Sequence, residues 1–181
     1  MKKISWMITT TLALTGFLFG APPPKDAAGP DSEQVSKLLS EAKTLAFQVK
    51  EDAATMEGYT RMNVSWESHV VAINQIRDHL NALGKQAAKL QEVKSIASPW
   101  QRTAIDRITP FLDEMGGYTA AVIETLNGEK RPTIADYKDY LEANADYSAD
   151  LAAMIGQFVD YGKSRQKLEQ LRDKLEIRPA R

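Results

Sequence analysis

From Asp31 to the last turns of the chain, apolar residues recur at steps of three and four and almost never alternate with polar ones. That spacing places the apolar side chains on one side of an α-helix. A helix with one apolar side gains most of its stability by packing that side against another element. Steps of three and four also favour helices that cross at a shallow angle of about 20°, as in coiled coils. We therefore predict an all-α protein.

Four such stretches follow one another, separated by capping residues and helix breakers. Their expected bounds are 31–58, 65–94, 99–128 and 133–176. The connections between them are short, and short connections force neighbouring helices to be antiparallel. The predicted fold is an antiparallel up-down-up-down four-helix bundle with coiled-coil-like packing. The stripe expected to be buried in the first helix is Val35, Leu38, Ala42, Leu45, Val49, Ala53 and Met56.

The fourth helix is expected to be longer than the others. Roughly 45 residues at 1.5 Å each span about 65 Å, against about 45 Å for the second helix. Its last turns should overhang the bundle. The segment 163–181 contains seven Lys or Arg and three Asp or Glu residues. A basic helix of this kind is either a solvated face or a docking element for an unknown protein partner or an envelope surface, and both interpretations stay open.

The N-terminus has the pattern of an export signal. Lys2 and Lys3 precede a mostly apolar, uncharged run, 4–19, which is too short for a confident membrane span. We predict a signal peptide at 1–20, a flexible Pro/Gly linker at 21–30 and the bundle at 31–181. The expected location is periplasmic or secreted, with no transmembrane domain after cleavage. A membrane anchor formed by an uncleaved signal is the alternative.

Composition excludes several kinds of chemistry. The chain has no cysteine, which excludes disulfides, thiolate metal ligands, a c-type haem attachment site and a thiol nucleophile. The formal net charge is −1. No basic stripe of the kind that binds nucleic acid stands out, so no nucleic-acid partner is expected.

Both histidines belong to the second helix. His69 and His79 are ten residues apart, so they point about 80° apart and lie about 15 Å apart along the helix, too far to share one ion. The Glu-x-x-His pairs of di-iron bundles, the His-Glu-x-x-His of zinc proteases and Gly-rich phosphate loops are all absent. We therefore expect no metal site, no cofactor and no catalytic residue, and we interpret the protein as non-enzymatic.

One group of residues keeps a binding role open. Antiparallel packing brings Trp66, His69, Tyr118, Tyr137 and Tyr140 to one end of the bundle. Aromatic rings with polar tips are able to line a pocket for a small molecule or haem. The other interpretation is a packed aromatic layer in which the hydroxyl groups and the imidazole satisfy one another.

Three stretches carry a resemblance. "TRMNVSWESH", "SPWQRTAIDRITP" and "YKDYLEANADY" together resemble an uncharacterised family of small exported helical-bundle proteins of soil bacteria that has no assigned activity. The resemblance spans roughly Glu51 to Gly162. It implies an exported helical bundle and implies no catalytic residues.

Overall fold

A computed structural model describes residues 30–130 and 135–176. They form four α-helices, α1 (Glu33–Tyr59), α2 (Trp66–Glu92), α3 (Pro99–Glu129) and α4 (Ala135–Lys174), with a short 3₁₀-helix, Lys94–Ile96, between α2 and α3. These residues contain no strand, and the predicted all-α class is confirmed. The predicted signal peptide, the linker up to residue 29 and the predicted start of the fourth helix at residue 133 lie outside the described residues.

The helices are arranged as a closed square. Each helix packs against the next in the chain, and α4 packs back against α1. At one end of the bundle, called here the upper end, Gln101 at the start of α3 bonds to Ser32 just before α1. At the opposite, lower end, Trp66 Nε1 at the start of α2 donates to the carbonyl of Leu126, near the end of α3. This is the predicted up-down-up-down order.

The buried residues of α1 and α2 follow a seven-residue repeat. In α1 they are Val35, Leu39, Ala42, Ala46, Val49, Ala53 and Met56. In α2 the matching line is His69, Ile73, Ile76, Leu80, Leu83, Ala87 and Leu90. Alternating steps of four and three form the seam of a left-handed coiled coil.

The expected seam of α1 needs a correction. Leu38 and Leu45 are only partly buried beside the upper part of the core, and Leu39 and Ala46 occupy the seam. Leu38 and Leu39 are both leucine, and position 45–46 is also apolar at both residues, so hydrophobicity alone does not choose between them. The crossing of the neighbouring helices makes the choice.

Polar side chains separate two apolar clusters of the core. The upper cluster includes Leu83 and Ile105, and the lower cluster includes Ile73 and Leu141. At their boundary lie Thr119, Asn144 and Ser148, all buried. Thr119 Oγ1 donates to Asn144 Oδ1 at 3.4 Å. A buried amide in a coiled-coil seam favours one register of the helices over others.

The caps show why two of the helices begin where they do. The first helix is capped by Ser32, whose hydroxyl accepts from the Val35 N–H, and the prediction that it begins at Asp31 is wrong. In α3, Gln101 Oε1 accepts from the Ser98 N–H at 2.9 Å, the contact expected from a capping sequence.

The last part of α4 extends beyond its neighbours, as predicted. After Gly162 every described side chain except that of Arg165 is exposed. The segment 163–175 is called the overhang here. It comprises the last turns of α4 and Leu175, whose N–H bonds to the Leu171 carbonyl, and it extends about 20 Å. Among the described residues, no helix combines the length and the apolar character needed to cross a membrane.

Candidate functional site

His69 and Tyr137 meet inside the lower end of the bundle. His69 Nδ1 and Tyr137 Oη are 2.6 Å apart, and the side chains are 2% and 0% exposed. Burial lowers the pKa of His69 and raises the pKa of Tyr137. The phenol therefore donates to a neutral imidazole, while the ring of Tyr59 packs edge-to-face on His69, with centroids 5.5 Å apart. His69 Nδ1 and Tyr137 Oη thus have each other as hydrogen-bond partners.

Trp66 occupies a different place at the same end. Its Nε1 donates to the carbonyl of Leu126 at 2.9 Å, and Lys130 Nζ lies 5.3 Å from the centre of its ring. The indole is partly buried against the lower cluster. It joins the start of α2 to the end of α3.

Tyr118 and Tyr140 lie on the α3/α4 side, in a row with two further aromatic rings. The ring centres of Tyr118 and Tyr140 are 6.4 Å apart, those of Tyr118 and Tyr147 5.5 Å, and those of Phe111 and Tyr147 6.2 Å. The neighbouring Tyr118 phenol and the Glu114 carboxylate raise the pKa of Tyr147. The structure therefore pairs His69 with Tyr137 and Tyr118 with Tyr140, and sets Trp66 apart.

A shallow groove that the sequence does not predict runs along the outer side of α1 and the adjoining side of α2. Two adjoining concavities, of about 650 and 450 Å³, share Asp52 and Gln75 as lining residues. Together they form what is called here the α1/α2 groove, a shallow strip along the outer side of α1 from Lys43 to Tyr59. At its upper end Phe47 and Lys43 lie on the α4 side of α1, beside Gly156 and Asp160. Phe47 and Val71 are the exposed large apolar residues of this surface. They do not reveal it in the sequence, because single exposed apolar residues are common on protein surfaces.

His79 lies in this groove and links the two helices. Its Nδ1 is 2.5 Å from Asp52 Oδ2, and Gln75 Nε2 donates to Asp52 Oδ1 at 3.1 Å. Both oxygens of Asp52 are thus used, and among the described residues His79 bonds to no hydroxyl nucleophile. The pair connects α1 to α2.

The base of the overhang is held at the upper end. Asp31 accepts from Trp100 Nε1 at 2.6 Å and from Arg165 Nε at 3.2 Å. The rings of Trp100 and Tyr161 pack edge-to-face, and Arg165 lies over Tyr161. Trp100, at the start of α3, therefore supports α4. These contacts fix the direction in which the overhang leaves the bundle.

A second apolar line runs along α4 beside the seam, at seven-residue intervals: Tyr140, Tyr147, Met154, Tyr161, Leu168 and Leu175. The tyrosines of this line contact aromatic rings of α3. Because α3 begins at Pro99, beside Trp100 and Tyr161, α3 does not reach the line beyond that point. The seam itself changes to Gly162, Arg165 and Glu169. The apolar side of the overhang therefore has no α3 partner.

The apolar residues of the overhang form a stripe with basic flanks. Leu168, Leu171 and Leu175, called here the leucine stripe, are 50%, 46% and 66% exposed. At 100° per residue, Lys167 and Lys174 fall on one side of the stripe and Arg172 on the other, each about 70–90° from its centre. Among described residues none of these three cations forms an ion pair. Within the described residues, the overhang therefore presents an exposed apolar line between cations.

Comparisons with known proteins indicate no family and no function for this arrangement of residues. Within 30–130 and 135–176, no group of three or more His, Asp or Glu side chains is placed to hold a metal ion. The resemblance to exported bundles of soil bacteria stays a prediction. The chain matches no protein-family model, no curated protein and no solved structure.

Proposed function

We propose that this protein is a non-enzymatic interaction module that acts in the periplasm or outside the cell and inserts its overhang into a groove of a protein partner. One observation carries the proposal: Leu168, Leu171 and Leu175 are exposed on a helix that extends beyond the bundle. The export pattern of residues 1–20 supports the location.

The shape of the stripe favours a protein groove over a bilayer surface. Helices that bind in grooves use anchors at i, i+3 and i+7, which is the spacing of the three leucines. A helix that lies on a membrane needs a wide apolar face opposite a strongly polar one. Here basic side chains flank a narrow line of three leucines. The stripe fits a groove about one helix wide.

The support at the base of the overhang favours binding. A helix held in its bound conformation loses less conformational entropy on association than a flexible segment. The Asp31 carboxylate, bonded to both Trp100 and Arg165, provides that support. Basic flanks select a groove with carboxylates along its edges, because complementary charge speeds encounter and disfavours wrong partners.

A capture experiment tests the proposal. The immobilised full chain is exposed to envelope extract of the source cells, beside a variant carrying Leu168→Ser, Leu171→Ser and Leu175→Ser. We expect the variant to capture at least tenfold less of the partner protein, because apolar anchors carry most of the binding energy of such contacts.

The matched control is Met62→Ser with Ile96→Ser, which removes two equally exposed apolar side chains elsewhere. The control should capture as much partner as the natural chain. Equal capture by the leucine variant and the natural chain, with both folded by circular dichroism, would refute a docking role for the overhang.

A further inference from the structure

A polar layer divides the core of the bundle into two halves. The upper and lower clusters have no residue in common, and Thr119, Asn144 and Ser148 lie between them at 3%, 0% and 1% exposure. Asn144 Oδ1 accepts from Thr119, but Asn144 Nδ2 has no hydrogen-bond partner among the described residues. A buried donor without a partner is costly, and water would satisfy it if the helices separated at this level. The layer is therefore a favourable boundary for partial opening of the core.

Two glycines weaken α3 at the same level. Gly116 and Gly117 lie within one turn of Thr119, and a Cβ atom at either position would meet nothing within 4 Å. Packing therefore does not require glycine at either position. Glycine is unfavourable inside a helix because it gains more conformational freedom on unfolding than other residues do. The last turns of α3 are consequently less firmly joined to the rest of the helix.

The two ends of the bundle are held by different contacts. At the upper end the fully buried Gln101 makes hydrogen bonds to residues at the starts of both α1 and α3. At the lower end Trp66 donates to the Leu126 carbonyl, and a buried hydrogen bond joins His69 to Tyr137. An imidazole titrates near neutral pH, whereas the amide of Gln101 does not titrate. Acid therefore acts more directly on the lower contact than on the upper one.

The surroundings of His69 do not accommodate a positive charge. Its ring contacts Tyr59 of α1 and Tyr137 of α4, and α3 contributes the apolar side chains of Val122 and Leu126 to the same cluster. Among the described residues, no carboxylate bonds to the imidazole. A proton on the ring would thus place an unpaired charge in an apolar cluster, which is costly. The charged side chains of the neighbouring turns are paired or exposed at the surface: Glu57 with Arg61, Glu67 and Asp136.

Protonation also disrupts the hydrogen bond between the two rings. In the neutral pair the Tyr137 phenol donates to Nδ1 of the imidazole. Both nitrogens of a protonated imidazole are donors, so the phenol must accept instead and its O–H loses its acceptor. Opening of the lower end exposes both groups to water, which hydrates the charge and bonds to the hydroxyl. Acid therefore favours the open form.

We infer that acid opens the lower end of the bundle separately from the upper end, with His69 as the group that takes up the proton and the layer around Asn144 as the boundary. Opening exposes the apolar side chains of the lower cluster, among them Ile73 and Leu141. The base of the overhang belongs to the upper end and stays folded. This device does not depend on the proposed function, because the two use opposite ends of the bundle.

A matched pair of buried cysteines measures opening at the two ends. Ala46 and Ala53 lie on the same helix, each is 1% exposed, and they belong to the upper and the lower cluster respectively. The natural chain has no cysteine, so Ala46→Cys and Ala53→Cys each introduce one thiol into the full chain. A buried thiol reacts with dithiodipyridine only when its surroundings open. The exposed position of Ala54→Cys supplies a reference that corrects for the effect of pH on the thiol itself.

We expect position 53 to react at least about tenfold faster than position 46 at pH 5, because the lower end opens without the upper one. Relative to position 54, the rate at position 53 should also rise between pH 7 and pH 5. The open form binds a proton with the ordinary pKa of 6.5, and burial lowers the pKa of the closed form. Linkage then limits the rise to about 25-fold.

The second histidine provides the matched control. His69→Gln removes the titrating group of the lower end and should abolish the rise at position 53. His69→Phe, which fills the same apolar site, serves as a second variant that cannot titrate. His79 is 33% exposed and lies outside the lower cluster, so His79→Gln should leave the rise unchanged. Circular dichroism shows that each variant is folded.

Replacing the polar layer tests the boundary. Asn144→Leu removes the unpartnered amide and places an apolar side chain between the upper and lower clusters. The clusters should then open together, so the reaction rates at positions 46 and 53 should approach each other. A rate at position 53 that stays at least about tenfold higher would mean that the layer is not the boundary.

Two results would overturn the inference. Equal reaction rates at positions 46 and 53 in the chain with its natural polar layer would show that the bundle opens as one unit. A rise at position 53 that persists in both His69→Gln and His69→Phe would show that another group takes up the proton. Neither result bears on the overhang, whose capture of a partner protein is measured separately.

Discussion

Gly162 is the residue whose small size matters most for the base of the overhang. A Cβ atom at this position would lie 2.7 Å from Trp100 Cη2. Trp100 cannot move away freely, because its Nε1 bonds to Asp31. Gly162→Ala is therefore expected to lower the free energy of unfolding by about 1–3 kcal/mol through overpacking, although alanine is normally preferred to glycine in a helix by about 1 kcal/mol. Urea denaturation measures the change.

Gly116 provides the comparison for this substitution. It lies inside α3, and a Cβ atom there would meet nothing within 4 Å. Gly116→Ala should raise the free energy of unfolding by about 0.5–1 kcal/mol, the ordinary helix preference. If both alanine variants are stabilised alike, the contact between Trp100 and α4 is not close.

At the scale of elements, one side chain joins the starts of α1 and α3. Gln101 is fully buried; its Oε1 accepts from the Ser32 and Ser98 N–H groups, and its Nε2 donates to the Ser32 carbonyl and to Ser36 Oγ. Gln101→Leu leaves two helix-end N–H groups without this acceptor. Since an unsatisfied buried donor costs about 1–3 kcal/mol, we expect a loss of about 2–4 kcal/mol in thermal or urea unfolding.

Gln101→Glu is the informative companion variant. A carboxyl group still accepts from both N–H groups, and negative charge is favourable at the starts of two helices, but an oxygen replaces the Nε2 that donates to the Ser32 carbonyl. A protonated carboxyl group is able to donate to that carbonyl. At about pH 4 the loss of stability of Gln101→Glu should therefore be clearly smaller than that of Gln101→Leu. Equal losses would mean that the volume of the side chain, and not its acceptor, holds the two helices together.

At the scale of the whole molecule, His69 makes stability depend on pH. It contacts Tyr59 of α1 and Tyr137 of α4, so it is protonated freely only when the bundle opens. Burial holds its pKa below the ordinary 6.5. Between 6.5 and that lower pKa, the unfolded chain binds the proton and most of the folded chain does not. The free energy of unfolding should therefore fall as pH is lowered, by at most about 1.4 kcal/mol per pH unit from this group.

Denaturation series between pH 7 and pH 5 measure this slope. His69→Gln removes the titrating group and should flatten the curve below pH 6.5 relative to the natural chain. Tyr137→Phe removes the hydrogen bond but leaves the imidazole buried, so the steeper slope should persist. Parallel curves for the natural chain and His69→Gln would show that proton uptake by His69 is not linked to unfolding.

The helices were predictable, whereas the partners of particular side chains were not. The sequence alone shows that Leu168, Leu171 and Leu175 lie at helical spacing. The overhang follows from the predicted length of α4. The choice of Leu39 over Leu38 for the seam, and of Ser32 over Asp31 for the start of the first helix, depended on neighbouring helices. Asp31 is drawn to Trp100 and Arg165, which are 69 and 134 residues away.

The aromatic residues show the same division. Antiparallel order alone brings Tyr118, Tyr137 and Tyr140 to the same half of the bundle, but their rings point to different neighbours. A difference of three residues on α4 turns Tyr137 inward to His69 and Tyr140 outward to Tyr118. The hydrophobicity of the two side chains is the same, so it does not predict which one is buried. The angle at which the helices cross decides that.

The sequence by itself determined that this chain forms four antiparallel helices and that the last one outlasts its neighbours, because periodicity and length are properties of each helix alone. Only the tertiary structure decided where the α1/α2 groove lies, that Asp31 holds the base of the overhang, and which aromatic rings are in contact. Those features depend on the register between helices, and register is set by packing contacts among residues far apart in the chain.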